Sequence, residues 1–259
     1  MLNSRIKVSI IIPCFNEKKT IVEILKKIKK ISFIEKEVII VDDFSTDGTR
    51  DIIKNLKSDY FNKVIFNEKN KGKGYSVRAA LKEASGDLIL IQDADLEYDP
   101  DDYVKLIDPF IRFDADVVYG SRFLGGTGAV RLHFFWHLIA NKLLTNFCNI
   151  FTNLNMSDME TCYKVFKKNS IKPEELKENS FGFEPEITIK LAKKKLKFFE
   201  VGISYNGRSY EEGKKIRLKD AFSAIFCIIK YGVEYAKMSR FSPSNNKQKG
   251  YIIYKFISQ

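Results

Sequence analysis

Residues 86–96 read GDLILIQDADL. Leu88, Ile89, Leu90 and Ile91 form an unbroken apolar run, with Gly86 before it and Asp93-Ala94-Asp95 after it. A strand covered on both faces reads as a continuous apolar run rather than as an alternation. The pattern predicts a buried strand over 88–91 that delivers two carboxylates, Asp93 and Asp95, at its carboxyl end.

The same arrangement recurs upstream. Residues 8–12 are apolar apart from Ser9, end at Pro13 and lead to Asn16-Glu17; residues 37–41 lead to Asp42-Asp43. Shorter runs at 64–66 and 117–119 read as further strands. Helices fall between them. Over 20–31, Ile21, Ile24, Leu25 and Ile28 share one helical face. Asp47 is placed to cap a helix carrying Ile52, Ile53 and Leu56. A Gly72-Lys73-Gly74 turn enters a helix over 75–84, and Pro100 opens another. Strands alternating with helices define an α/β fold, a Rossmann-like parallel sheet with helices on both faces. Ligands of such sheets bind beyond the carboxyl ends of the strands. Three acidic clusters at that one edge are costly unless a cation or hydrogen-bond donors gather there.

The chain has 259 residues, 44% hydrophobic, enough for one large domain. We place that domain at 1–238, followed at 239–259 by a linker (Ser242-Pro243-Ser244-Asn245-Asn246) and a short segment over 251–257. Cys14, Cys148, Cys162 and Cys227 are scattered, with no CxxC pair, so zinc and disulfide frameworks are not expected and a reducing cytosol is. No signal peptide and no bilayer-spanning segment are expected. The net charge of +11 points to an anionic partner: nucleic acid, anionic lipid or a phosphorylated substrate. In the second half, residues 132–151 read as a helix with His133, His137, Asn141, Thr145 and Asn149 in a polar stripe. A broad apolar face carries Phe134, Phe135, Trp136, Leu143, Leu144 and Phe147. Residues 183–195 and 219–237 read as helices, and 198–205 as a strand. The helices over 132–151 and 219–237 have the aromatic faces and basic borders of interfacial helices, or equally of helices whose aromatic faces pack into the core or a dimer interface.

Alternate carboxylates leaving a strand can share one hard cation. Mg²⁺ or Mn²⁺ is typically held by one or two carboxylates plus substrate phosphates, so Asp93, Asp95 and Glu97 form the candidate metal set. A departing diphosphate needs such a cation to offset developing charge.

Several segments occur together in a telling order: VSIIIPCFNE at 8–17, VDDFSTDGT at 41–49, NKGKG at 70–74, GDLILIQDADL at 86–96 and GSRF at 120–123. DMETCYKVF at 158–166, FEPE at 183–186 and VGISYNGRSYEEGK at 201–214 follow. Over roughly residues 7–238 the set resembles inverting family 2 glycosyltransferases, above all the dolichyl-phosphate and polyprenyl-phosphate mannose or glucose synthases. The resemblance implies a GT-A fold with a mixed sheet and a nucleotide-sugar donor such as GDP-mannose or UDP-glucose. It implies that Pro13, Phe15 and Glu17 line the nucleotide pocket, that Val41 and Asp43 meet the base, and that Asp93, Ala94 and Asp95 hold metal and diphosphate. Phe15 stands where the family often has Tyr, and Glu97 where it often has Gln. Arg122, Arg208 and Lys214 match basic groups that hold phosphates, and Arg131 falls near a position associated with the acceptor phosphate.

Acceptor chemistry separates two enzymatic readings. A sugar hydroxyl needs a general base, for which Asp158 is the carboxylate at hand. A polyprenyl phosphate is already ionised and needs cations instead, which suits Arg122, Arg131, Arg208 and Lys214. The leading expectation is hexose transfer to a polyprenyl phosphate, by an enzyme sitting peripherally on the cytosolic face of a membrane or on a separate membrane protein. Transfer to a glycan hydroxyl is the alternative. A non-catalytic nucleic-acid module is the weakest reading, because Asp93, Asp95 and Glu97 repel phosphates unless metal-loaded.

Overall fold

The computed structural model describes residues 6–125, 131, 135–208, 211 and 218–240. The continuous apolar runs form β1 (Lys7–Cys14), β2 (Glu35–Asp42), β3 (Lys63–Phe66), β4 (Leu88–Ile91) and β5 (Val117–Ser121). Between them lie α1 (Ile21–Lys30), α2 (Thr49–Asn55), α3 (Lys73–Glu83) and α4 (Tyr103–Arg112). The second half adds α5 (Phe135–Thr152), β6 (Lys164–Lys167), α6 (Phe183–Ala192), β7 (Phe198–Gly202) and α7 (Leu218–Arg240). The strands form one sheet in the order β3-β2-β1-β4-β6-β5-β7. β6 runs antiparallel to both β4 and β5, while the other pairings are parallel. The sheet is therefore mixed, as the family resemblance implies, rather than wholly parallel as the strand–helix alternation alone predicts.

β1 continues through Pro13 to Cys14 instead of stopping at the proline. Its pairing with β4 ends at Ile11, whereas its pairing with β2 runs on to Cys14. Proline, which lacks an N–H, is tolerated where one side of the ladder has already finished. Two residues just past the strand ends are left-handed, Asn16 (φ 53°) and Phe44 (φ 65°). Their loops are stitched together: Asn16 N–H donates to Ser45 Oγ at 2.9 Å, and Asn16 Oδ1 accepts from Thr46 N–H at 2.8 Å. The helix after β2 begins behind Gly48, at φ 97°, and Asp47 accepts from the Thr49 N–H at 2.9 Å.

α5 forms as predicted, but with its polar stripe inward. Thr145, Cys148 and Thr152 are its buried residues, while Phe135, Trp136, Leu143 and Ile150 are exposed. The stripe has polar work to do inside. Thr145 Oγ1 accepts from the Met159 N–H at 3.1 Å, and the Asn149 amide donates to the Met156 carbonyl at 2.8 Å. α7 packs beside α5 and buries Ala224, Cys227, Ile228 and Tyr231, leaving Phe222, Phe226 and Ile229 outside. Among the described residues no helix is long and apolar enough to cross a membrane. His133, Lys214 and the segment over 251–257 lie outside the described residues.

Candidate active site

Three strands, β1, β2 and β4, deliver Glu17, Asp43, Asp93 and Asp95 to the same edge of the sheet. A return segment completes the site. After β7 the chain bridges back across Tyr98 at Tyr205, and the Asn206 N–H donates to the Glu97 carbonyl at 2.9 Å. This pairing carries Arg208 over the carboxyl end of β4. Its guanidinium meets Asp95 at 2.8 Å, Glu97 at 3.0 Å and Glu17 at 3.3 Å. One cation thus gathers three carboxylates from two places in the sequence, the ends of β1 and β4.

Asp95 is the least comfortable of these groups. Burial, then the charges of Asp93 and Glu97, pushes its carboxyl from 3.8 up to about 8, against the pull of Arg208. Glu97 is fully engaged by Tyr205 Oη at 2.6 Å and by the Arg208 backbone N–H and Nε. Asp93 belongs to a second cluster. Lys73, at the start of α3, reaches Asp93 at 2.9 Å and Glu184, in the first turn of α6, at 3.1 Å. Burial opposes the charge on Lys73, but Asp93 and Glu184 outweigh it and hold the ammonium well above its usual pKa. Asp93, Asp95 and Glu97 therefore do not converge as a ready-made triad, and no group of three metal-ligating side chains stands among the described residues. Each carboxylate instead has its own cationic or hydrogen-bonding partner. What remains suits Mg²⁺ or Mn²⁺: hard oxygens, with Asp95 repelled by its neighbours and Asp93 nearby, to be completed by substrate phosphates.

A third cluster faces these two. Arg122, just past β5, clamps Asp158 with Nε and Nη2, each at 2.7 Å, and with its backbone N–H at 3.1 Å. Asp158 is fully buried, and Glu200 accepts from the backbone N–H groups of Ser157 and Asp158 at 3.0 Å. The Arg122 guanidinium also lies over the Tyr205 ring, 5.2 Å from its centroid. Both Asp158 oxygens face an arginine, which is the setting of an orienting group rather than of a free base.

The remaining predicted positions are placed as follows. Pro13 and Phe15 are partly exposed at the end of β1, and Glu17 is buried under Arg208. Asp42 caps its own turn and pairs with Arg50 at 2.7 Å. Asp43 holds the 70–72 loop, accepting from the backbone N–H groups of Lys71 at 2.9 Å and Gly72 at 2.7 Å and from Asn67 at 2.7 Å. Val41 and Ala94 are buried in the core, so their side chains serve packing at the pocket floor. Arg131, ahead of α5, lies against the return segment, donating its backbone N–H to the Tyr205 carbonyl and Nη1 to the Gly207 carbonyl at 3.0 Å. Residue-by-residue reasoning missed Lys73, Glu184 and Tyr205. The signals available were a lysine between two glycines and the acidic residues of FEPE at the start of a helix.

The mixed sheet, with acidic and basic clusters at its strand ends, has the GT-A fold of glycosyltransferases. The chain belongs to glycosyl transferase family 2, whose family model matches residues 9–173. It is 31% identical over 242 residues to the dolichol-phosphate mannosyltransferase of Pyrococcus furiosus, covering 91% of this chain and 67% of that protein. It is 28% identical over 206 residues to the low-salt glycan biosynthesis hexosyltransferase Agl6 of Haloferax volcanii, covering 78% of this chain and 48% of that one. Among solved structures, glucosyl-3-phosphoglycerate synthase from Mycobacterium tuberculosis, in complex with Mn²⁺, UDP and glucosyl-3-phosphoglycerate, shares the fold. The TM-score is 0.64 at 18% identity, over 88% of this chain and 80% of that one.

Proposed function

We propose that this enzyme transfers a hexose, with inversion, from GDP-mannose or UDP-glucose to a membrane-anchored polyprenyl phosphate. The observation that carries the reading is the closed Arg122–Asp158 pair beside the Arg208 cluster. A hydroxyl acceptor calls for an available base, whereas this site spends its buried carboxylate on an arginine. A phosphate monoester brings its own charge and asks for cations. Its oxygen forms the new bond to the anomeric carbon as the bond to the nucleoside diphosphate breaks. Asp95 and Asp93 would hold a divalent cation, which offsets charge on the departing diphosphate. Glu17 and the segment around Phe15 and Asp43 border the nucleotide, and Arg208 is placed to hold its phosphates. Arg122 and Arg131 flank the approach from α5.

The exposed apolar faces of α5 and α7 support peripheral attachment to a membrane surface, where such an acceptor resides. Trp136 is 75% exposed and Phe222 is 72% exposed, and both face away from the core. Lateral contact with a separate membrane protein would use the same faces. The test is product analysis with Mn²⁺, each nucleotide sugar and a detergent-dispersed polyprenyl phosphate, run beside a soluble glycan. A glycolipid phosphate product is expected. Transfer to the glycan alone would replace the acceptor named here.

A further inference from the structure

Beneath the Lys73–Asp93 pair lies a group of polar atoms that the arrangement above leaves unused. Glu160 Oε1, Thr161 Oγ1 and Glu184 Oε2 are buried atoms with no hydrogen-bond partner among the described residues. Thr161 is fully buried and Glu184 only 3% exposed. Buried carboxylate and hydroxyl oxygens without partners are rare, because each lost hydrogen bond to water must be replaced. Each of the three calls for a hydrogen-bond donor that the described residues do not supply.

The place is specific. Lys73 joins Glu184 to Asp93, the first carboxylate of the strand-end pair. On the other side Glu160 stands two residues from Asp158, the partner of Arg122. Burial, then the charge of neighbouring Glu184, raises the Glu160 carboxyl to about 8, while Lys164 and Arg122 pull the other way. Lys164 does not fill the gap, because its ammonium is spent on the backbone carbonyls of Met159 and Thr161. The three oxygens are themselves covered, but the side chains beside them are not: Lys73 and Asp93 keep 18% and 24% of their side-chain surface, and Glu160 is partly exposed. Glu184, through Lys73, and Glu160, through its repulsion with Glu184, therefore stand beside the atoms that would hold the diphosphate. The part of a nucleotide sugar next to its diphosphate is the sugar ring, whose hydroxyls are donors.

We infer that Glu160, with Thr161 and Glu184, is the residue set that reads the hydroxyls of the transferred hexose, and that Glu160 determines sugar specificity. This rests on the donor reading above, not on the acceptor. A site built to accept from a hydroxyl discriminates strongly against an analogue that cannot donate, since its own buried groups are then left unpaired. Fluorine in place of a hydroxyl accepts but does not donate, so it isolates this contact.

The experiment measures equilibrium binding of UDP-glucose, GDP-mannose and their monodeoxyfluoro analogues, one for each ring hydroxyl, in Mn²⁺. The wild type and Glu160→Met, which keeps the length and removes both oxygens, are compared. In the wild type at least one fluorinated position is expected to weaken binding about tenfold or more. In Glu160→Met that penalty should fall to about threefold or less, with binding of the bare nucleoside diphosphate unchanged. Should Glu160→Met fail to fold, Thr161→Val is measured in the same way, since it removes a buried unpartnered hydroxyl at nearly constant shape. Penalties that survive in full in the variant, or their absence at every position in the wild type, overturn the inference while leaving transfer from the intact donors standing. Failure of the wild type to bind or turn over either intact nucleotide sugar overturns the donor reading as well.

Discussion

Asp95→Asn is expected to stabilise the metal-free protein while removing its activity. Asp95 is 8% exposed, and burial, followed by the charges of Asp93 and Glu97, raises its carboxyl from 3.8 to about 8 despite the nearby Arg208. The sign follows from proton counting. Between those two values the folded protein holds a proton that the unfolded chain has released. Stability is therefore undiminished below the unfolded value, falls as pH rises towards the folded one, and stays low above it. Asparagine has the same shape and no charge, so the variant escapes that loss. A displacement from 3.8 to about 8, at about 1.4 kcal/mol per pH unit, sets a ceiling of roughly 6 kcal/mol at alkaline pH. A third of it, about 2 kcal/mol, would raise the melting temperature by about 4–8 °C in a chain of this size. The assay is thermal unfolding of both proteins in EDTA across the pH range. The variant should melt higher near pH 9, with the difference closing as the pH falls to about 4. Adding Mn²⁺ and a nucleoside diphosphate should then raise the wild type alone. Equal or lower melting of Asp95→Asn at alkaline pH, or a gap that does not close on acidification, would refute the reasoning.

Other perturbations test neighbouring parts of the argument. Asp158→Asn should destabilise by about 3–5 kcal/mol, because it leaves the buried Arg122 guanidinium without its carboxylate. Its pH–rate profile should keep the wild-type form, rising through about pH 6 with the second ionisation of the acceptor phosphate; loss of an ionisation limb would identify Asp158 as a base. Gly72 sits at φ 94°, and a β-carbon there would overlap the Asn179 carbonyl, so Gly72→Ala should cost about 2 kcal/mol or more and weaken donor binding by shifting the loop that Asp43 holds. Trp136 is the chain's single tryptophan, so its emission should shift to the blue on mixing with anionic vesicles. Phe222→Ser with Phe226→Ser should reduce flotation with those vesicles several-fold, and unchanged recovery would argue against α7 as the contact face.

The parts of the fold legible in the sequence were those whose physics is local. β1, β2 and β4 are buried on both faces, so their apolar runs announce them, and their carboxyl ends mark the ligand edge. β6 was not legible. Its sequence is KVFK, and its first lysine is fully buried, its charge met by backbone carbonyls of the preceding turn. Only the slot between β4 and β5 makes that segment a strand. The helix over 132–151 was readable from its period, but not the direction it faces. Period reports that two faces differ, whereas the inward choice depends on Asn149, Thr145 and Asn141 finding the 156–159 turn. The acidic edge of the candidate site was visible in the same way. Of its cationic counterparts, Arg208 was read only through the family motif at 201–214 and Lys73 not at all, since both reach the acidic edge by packing over long stretches of chain.

The outward-facing aromatics of α5 and α7 also bear on handling the protein. A solubility screen would single out Phe135, Trp136, Phe222 and Phe226 as residues to exchange for lysine or glutamate. The exchanged protein would keep its fold, since these side chains support little of the interior, and it would concentrate better. On the membrane reading proposed above, it would also lose its address. A purified sample improved in that way could bind donor normally and still find no acceptor, and would be misread as an enzyme with the wrong substrate.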